Sequence, residues 1–161
     1  PEAGLGRFVL EDVPAGTIIK SNLLVPVTSP DIFQRDRCIY MQSQADIDYL
    51  LDHYTKINAD MAFNRKRISD FLVTNLWAGK LSLFLLSSSG FINHSLHNNV
   101  VVKLMNNQLC FMTIKDMIKG DEILLNYHFY PEVDFYNDWC QQHHVHWCKH
   151  QIMQLAEDEN N

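Results

Sequence analysis

The sequence has no long apolar run. Its longest apolar stretches are short, such as residues 81–86, and fall far below the roughly 20 residues that a membrane-spanning helix needs. It also shows no basic N-terminal region followed by an apolar core, so we expect no signal peptide in these residues. The sequence therefore predicts a domain that has no association with a membrane.

Basic residues are scarce as well. Lysine and arginine number 13 against 19 aspartate and glutamate residues, which gives a net charge of −6. Direct nucleic-acid binding needs a basic surface to neutralise phosphates, so we predict none, whereas a basic peptide or protein is a compatible partner. Nothing in the spacing of the four cysteines demands disulfides, which favours a reducing compartment.

The apolar residues that are present make up 47% of the chain, enough for one ordinary core. Short extended segments flank turns near both ends, and residues 100–104 and 108–114 read as a hairpin with Asn106-Asn107 at its turn. In residues 31–77 apolar side chains recur at helical spacing, which predicts two or more short helices. The predicted fold class is mostly β with a helical segment inserted at about 31–78.

A local pattern occurs twice. Asp12-x-x-x-Gly16 precedes Thr17-Ile18-Ile19, and Asp116-x-x-x-Gly120 precedes another apolar strand segment. Glycine adopts positive φ angles at little cost, so each glycine is predicted to make a tight turn before a strand.

Three segments carry candidate chemistry. Residues 91–99, Phe-Ile-Asn-His-Ser-Leu-His-Asn-Asn, are dense in side chains that both donate and accept hydrogen bonds, and read alone they fit either a capped turn or a ligand site. Residues 116–127 predict a turn and a strand that ends at Tyr127. Gly4-x-Gly6 lacks the third glycine and the helix of a dinucleotide-binding fingerprint, so we reject a Rossmann fold.

Taken together and in this order, the three segments resemble the SET-domain family of lysine methyltransferases over about residues 3–130. The family pattern Arg-Phe-Ile-Asn-His-Ser-Cys-x-Pro-Asn is matched by residues 90–99, and Gly-Glu-Glu-Leu-x-x-Asp-Tyr by residues 120–127. Gly90, Leu96 and Asn98 depart from the pattern, where the family usually has Arg, Cys and Pro.

The resemblance implies a SET-domain (β-clip-like) fold over 1–130 with a C-terminal pseudoknot. Residues 131–161 would form an aromatic helical tail that closes the active site. The implied function is an S-adenosylmethionine-dependent protein lysine N-methyltransferase, acting on a histone tail as a chromatin regulator in the nucleus (the host nucleus if the source is a pathogen). A methyltransferase for a non-histone protein, or a SET-like module that binds peptide or cofactor without turnover, are the alternatives.

The resemblance also implies site residues. Tyr127 would be the catalytic tyrosine, Ser95 and Asn99 would pin the pseudoknot, and the tail would contribute to substrate binding. The residues implied for cofactor binding are Gly4, Leu5, Gly6, Arg7, Phe91, Asn93, His94 and Tyr127, and those for substrate binding are Leu125, Phe135 and Trp139.

Two departures refine these expectations. Many relatives bind zinc through a Cys-x-Cys tail and the cysteine after His-Ser, and here the tail lacks that motif, so no metal is predicted. A Cys/His site built from Cys140, Cys148 and the neighbouring histidines is the alternative. Leu125 occupies a position where relatives often have Phe or Tyr, and its different volume favours methylation beyond the monomethyl product.

The predicted helical insert also carries three acidic residues, Asp46, Asp48 and Asp52. These side chains either attract a basic peptide or form an ordinary solvated helix face.

Overall fold

The computed structural model describes residues 6–32, 34–57, 76–78, 82–86, 92–129 and 131–145. The chain divides into two compact units. Unit 1 comprises Pro1–Val25, Pro30–Cys38 and Leu86–Phe129, and unit 2 comprises Pro26–Ser29, Ile39–Leu85 and Tyr130–Asn161. Among the described residues there are eight β-strands and two α-helices, so the predicted mostly-β class with added helices is confirmed.

Three strands pair in an antiparallel sheet that lies in unit 1. Strand β7 (Gln108–Thr113) lies between β1 (Ile18–Pro26) and β6 (Val100–Met105). Leu109, Cys110 and Phe111 on β7 are buried, as this central position requires. The predicted hairpin of β6 and β7 is confirmed, and it pairs Met105 with Gln108.

The turn of this hairpin contains Asn106 and Asn107, with φ angles of 49° and 59°. Two consecutive positive φ angles are typical of the two-residue turn whose twist matches that of antiparallel strands, and asparagine tolerates them better than most residues.

Two very short strands, β5 (Asn93–His94) and β8 (Leu124–Leu125), pair in parallel in the same unit. The strand predicted up to Tyr127 ends earlier, because the Asn126 side-chain oxygen accepts a hydrogen bond from the His128 N–H (3.0 Å). Tyr127–Phe129 consequently forms a 3₁₀ turn. The threading of one segment beneath a loop, the predicted pseudoknot, stays a prediction.

The two copies of the Asp-x-x-x-Gly pattern bind each other. Gly16 and Gly120 have φ angles of 82° and 95°, which confirms the predicted turns. The carboxylate of Asp116 accepts a hydrogen bond from the Ala15 N–H (2.8 Å), and that of Asp12 accepts one from the Lys119 N–H (2.9 Å). Each aspartate thus caps the turn of the other copy.

The segment predicted as a helical insert is helical only in part. Helix α1 (Gln44–Ile57) confirms one predicted helix, and the second, around residues 68–72, lies outside the described residues. Strand β2 (Arg37–Met41) precedes α1 in this segment. Its residues 38, 39 and 41 are buried in one short apolar run. Strands β3 (Leu76–Ala78) and β4 (Leu83–Leu86) pair antiparallel after it.

In unit 2, α1 packs against helix α2 (Asp134–His143). Ile47, Leu50 and Leu51 form the buried face of α1. Asp46 caps this helix, since its carboxylate accepts the Gln42 N–H (2.8 Å) while its own N–H donates to the Ser43 hydroxyl (3.3 Å). Asp46 therefore stabilises the N-terminus of α1. No helix in the described part of the chain is long and apolar enough to span a membrane.

Candidate active site

The three segments singled out in the sequence meet within unit 1. The N–H of Val9 donates to the carbonyl oxygen of Asp121 (3.0 Å), and the N–H of Ile123 donates to that of Arg7 (2.7 Å). On the other side of the same segment, the Ser95 N–H donates to the Leu125 carbonyl oxygen (2.8 Å). The segment that leads to Tyr127 therefore lies between the Gly6-Arg7 segment and the Asn93-His94 pair.

The side chain of Asn99 stabilises this arrangement of segments. Its side-chain amide donates to the carbonyl oxygen of Glu122 (2.7 Å) and accepts the N–H of Leu124 (2.8 Å), as a neighbouring strand would. Only 5% of its surface is exposed. The hydroxyl of Ser95, the other residue expected to pin the site, accepts the N–H of His97 (3.0 Å) and so shapes the local turn.

His94 positions the backbone of Tyr127. Its Nδ1 atom accepts the Tyr127 N–H (3.0 Å), so the ring must be neutral and carry its proton on Nε2. The His94 ring lies 5.2 Å from that of Tyr127 and stacks on that of His128 at 5.1 Å. Burial, and secondarily the neighbouring His128, lower the pKa of His94 from its ordinary value.

This geometry predicts an acid-sensitive site. Because the folded state depresses the His94 pKa, the unfolded chain binds the proton more readily. The contribution of neutral His94 to stability is therefore complete above its unfolded pKa of about 6.5 and is lost as the pH falls through the lower folded pKa. Urea unfolding between pH 8 and 5 should show this loss in the wild type and a smaller one in His94→Asn, whose side-chain oxygen takes the place of the Nδ1 acceptor. Identical pH profiles for both proteins would contradict the assignment.

The hydroxyl of Tyr127 donates a hydrogen bond to the carbonyl oxygen of Ile92. Its proton is thereby directed to the protein backbone, and toward any further group the phenolic oxygen acts as an acceptor. An acceptor oxygen held in place in this way can orient an incoming amine through one of its N–H bonds.

Glu122 is a site residue to which the sequence reading gave no role. One of its carboxylate oxygens accepts the Asn93 side-chain N–H (2.6 Å). The same carboxylate lies against Gly6, where an added Cβ would overlap it and would lie 3.3 Å from the Asn93 nitrogen. The sequence did contain a signal for this residue, because Glu122 matches the second Glu of the family pattern over residues 120–127.

The remaining predicted site residues are placed as follows. Leu125 is buried, with 3% of its surface exposed. Phe135 and Trp139 lie on α2 in unit 2, where Trp139 is buried and stacks on Tyr136 with ring centroids 6.1 Å apart. Gly4, Leu5 and Phe91 lie outside the described residues.

The cysteine and histidine residues of the tail do not form a metal site within the described part of the chain, where no three His, Cys, Asp or Glu side chains cluster suitably. Cys148 and the histidines at 146 and 150 lie outside that part. Cys140 is buried, and this burial raises its pKa to about 11.

In a comparison with protein families, the family model described as SET domain aligns with residues 4–128. The chain belongs to the SET-domain family. No curated protein matches it significantly in sequence.

Solved structures are similar to this chain, and one of them reaches a TM-score of 0.50. A chain of the Chaetomium thermophilum complex titled "ctPRC2 in an autoinhibited conformation bound to S-adenosylmethionine" is 17% identical, with a TM-score of 0.50 over 88% of this chain and 15% of that one. The crystal structure of polycomb repressive complex 2 from the same organism gives 19% identity and a TM-score of 0.49, over 81% and 15% of the two chains. CpSET8 from Cryptosporidium is 14% identical, with a TM-score of 0.41 over 76% of this chain and 51% of that one. The SET-domain chain thus spans only about 15% of the length of the polycomb chains.

Proposed function

We propose that this SET-domain chain is an S-adenosylmethionine-dependent protein lysine N-methyltransferase that acts on a histone tail in the nucleus. The observation that carries the proposal is the position of the Tyr127 hydroxyl, which is held by the Ile92 carbonyl beside the Asn93-His94 pair. Family membership and a structural neighbour whose title reports bound S-adenosylmethionine support the choice of cofactor.

The residues present fit this cofactor. A Cβ at position 6 would overlap the Glu122 carboxylate, so glycine lets the Gly6-Arg7 backbone lie directly beside the side chains of Glu122 and Asn93. Asn93 and His94 offer amide, imidazole and main-chain groups on the adjacent segment. S-Adenosylmethionine supplies a methyl group on a positively charged sulfur, and these residues would hold it beside Tyr127.

The chain's contribution to the reaction is to desolvate and orient the lysine amine. A lysine side chain has a pKa of about 10.4 in water, and an apolar channel with a positive charge nearby disfavours its ammonium form. The phenolic oxygen of Tyr127 accepts a hydrogen bond from an N–H of the neutral amine. This contact orients the lone pair of the amine nitrogen toward the methyl group. Positioning of this kind can supply about 7–11 kcal/mol of the barrier reduction.

The substrate side of the proposal rests on charge and on buried volume. A net charge of −6 favours a basic peptide. Leu125 has no hydroxyl and differs in volume from the Phe or Tyr that relatives often have there, so we propose products beyond monomethyl-lysine. Leu125, Phe135 and Trp139 are the proposed substrate-binding residues.

The test is methyl transfer from labelled S-adenosylmethionine to core histones, nucleosomes and a whole-cell lysate, with Tyr127→Phe run beside the wild type. Labelled histone bands that vanish in the variant are expected, with di- or trimethyl-lysine in their mass spectra. Labelling outside the histone bands would indicate a non-histone substrate. Cofactor binding without any labelling would contradict the enzyme and favour a binding module.

A further inference from the structure

Glu122 contacts two segments of the candidate cofactor site, the one at Gly6 and the one at Asn93. Its carboxylate accepts the Asn93 side-chain N–H at 2.6 Å and lies against Gly6, while its backbone oxygen accepts the Asn99 amide at 2.7 Å. Its backbone also bridges to Phe8.

The contact with Glu122 fixes the orientation of the Asn93 side-chain amide. A carboxylate only accepts hydrogen bonds, so the amide nitrogen must face it and the amide oxygen must point to the opposite side. A hydrogen bond to a charged acceptor is roughly twice as strong as a neutral one, so rotation of the amide by 180° is strongly disfavoured. Asn93 therefore presents a hydrogen-bond acceptor on the side away from Glu122.

We propose that Glu122 is a positioning residue for the cofactor, which orients the Asn93 amide so that its oxygen accepts a hydrogen bond from an amine or hydroxyl group of S-adenosylmethionine, and which fills the space beside Gly6. This inference rests on the proposed function, because it assigns the cofactor. It adds a residue that acts through Asn93 and does not itself react.

The test measures the affinity of the 161-residue chain for S-adenosylmethionine by isothermal titration calorimetry, together with the thermal unfolding midpoint of each variant. Glu122→Ala should weaken binding about tenfold, because it removes a charge-assisted hydrogen bond. Glu122→Gln should weaken it about twofold, since a glutamine amide pairs equally well with either orientation of Asn93 and only half of the molecules then present the oxygen. Asp121→Asn is the matched control, which removes the same charge one residue away and should leave the affinity unchanged.

The decisive measurement is a donor–acceptor reversal. Asn93→Asp alone places two carboxylates in contact and should weaken binding more than about tenfold. Combined with Glu122→Gln, the glutamine amide donates to the new carboxylate, the net charge of the pair returns to that of the wild type, and an acceptor oxygen again faces the cofactor. Most of the lost affinity should then return.

Two outcomes are distinguishable. A wild-type chain that fails to bind S-adenosylmethionine contradicts the proposed function. A wild-type chain that binds it, while the effects of Asn93→Asp and Glu122→Gln simply add, overturns the role of Glu122 alone. A purely structural role would lower the unfolding midpoints without the recovery of affinity in the double variant.

Discussion

Tyr127→Phe is expected to slow methyl transfer about a hundredfold while the affinity for S-adenosylmethionine stays that of the wild type. The substitution removes one oxygen atom and keeps the ring that lies 5.2 Å from His94. It also keeps the backbone N–H that donates to His94 Nδ1. The predicted loss therefore concerns only the orientation of the amine.

The measurement is the single-turnover rate with a saturating histone substrate, accompanied by calorimetry with the cofactor. Tyr49→Phe is the matched control, because Tyr49 lies on α1 with 45% of its surface exposed and the same atom is removed. Loss of the hydrogen bond to Ile92 should cost only about 0.5–1.5 kcal/mol of stability, so both variants should remain folded. An unchanged rate in Tyr127→Phe would remove this residue from the mechanism.

Asn99→Ala is expected to be the most destabilising single substitution near the site. It would leave the carbonyl of Glu122 and the N–H of Leu124 without the bonds that the Asn99 side chain supplies. Two unsatisfied buried groups cost about 2–6 kcal/mol together, which is a large part of the stability of an ordinary domain. The free energy of unfolding in guanidinium chloride is the appropriate measurement.

Asn98→Ala provides the control for this prediction. It makes the same chemical change one residue away, where the side chain donates one hydrogen bond to the Val100 carbonyl (3.0 Å). A loss of about 0.5–1.5 kcal/mol is expected there. Equal losses in the two variants would show that Asn99 does not hold the strands together.

The parts of the fold that the sequence predicted are those set by local chemistry. The hairpin of β6 and β7 follows from two apolar runs around Asn106-Asn107, and the turns at Gly16 and Gly120 follow from a glycine that precedes a strand. Strand β2 was not predicted, because its residues are buried on both faces and so lack the alternation that distinguishes a strand from a helix.

The site could be predicted as far as its motifs extend. Asn93, His94 and Tyr127 were selected because of the family resemblance, and the structure brings them together in one unit. Their mutual contacts could not be predicted, since the donation from the Tyr127 backbone to His94 depends on the pairing of segments more than 30 residues apart. Glu122 remained without a role because an acidic residue near a strand usually faces solvent.

The reciprocal caps between Asp12 and Asp116 also constrain how the protein can be made. The hydrogen bonds that close this arrangement join residues 101 and 107 positions apart in the sequence. On a translating ribosome, the first turn is released long before the second one exists, and such distant pairings form slowly. In the nascent chain, the N-terminal segment must therefore avoid unwanted strand pairing until synthesis has passed Gly120. Only after that point can Gly6 and Tyr127 become part of the same site.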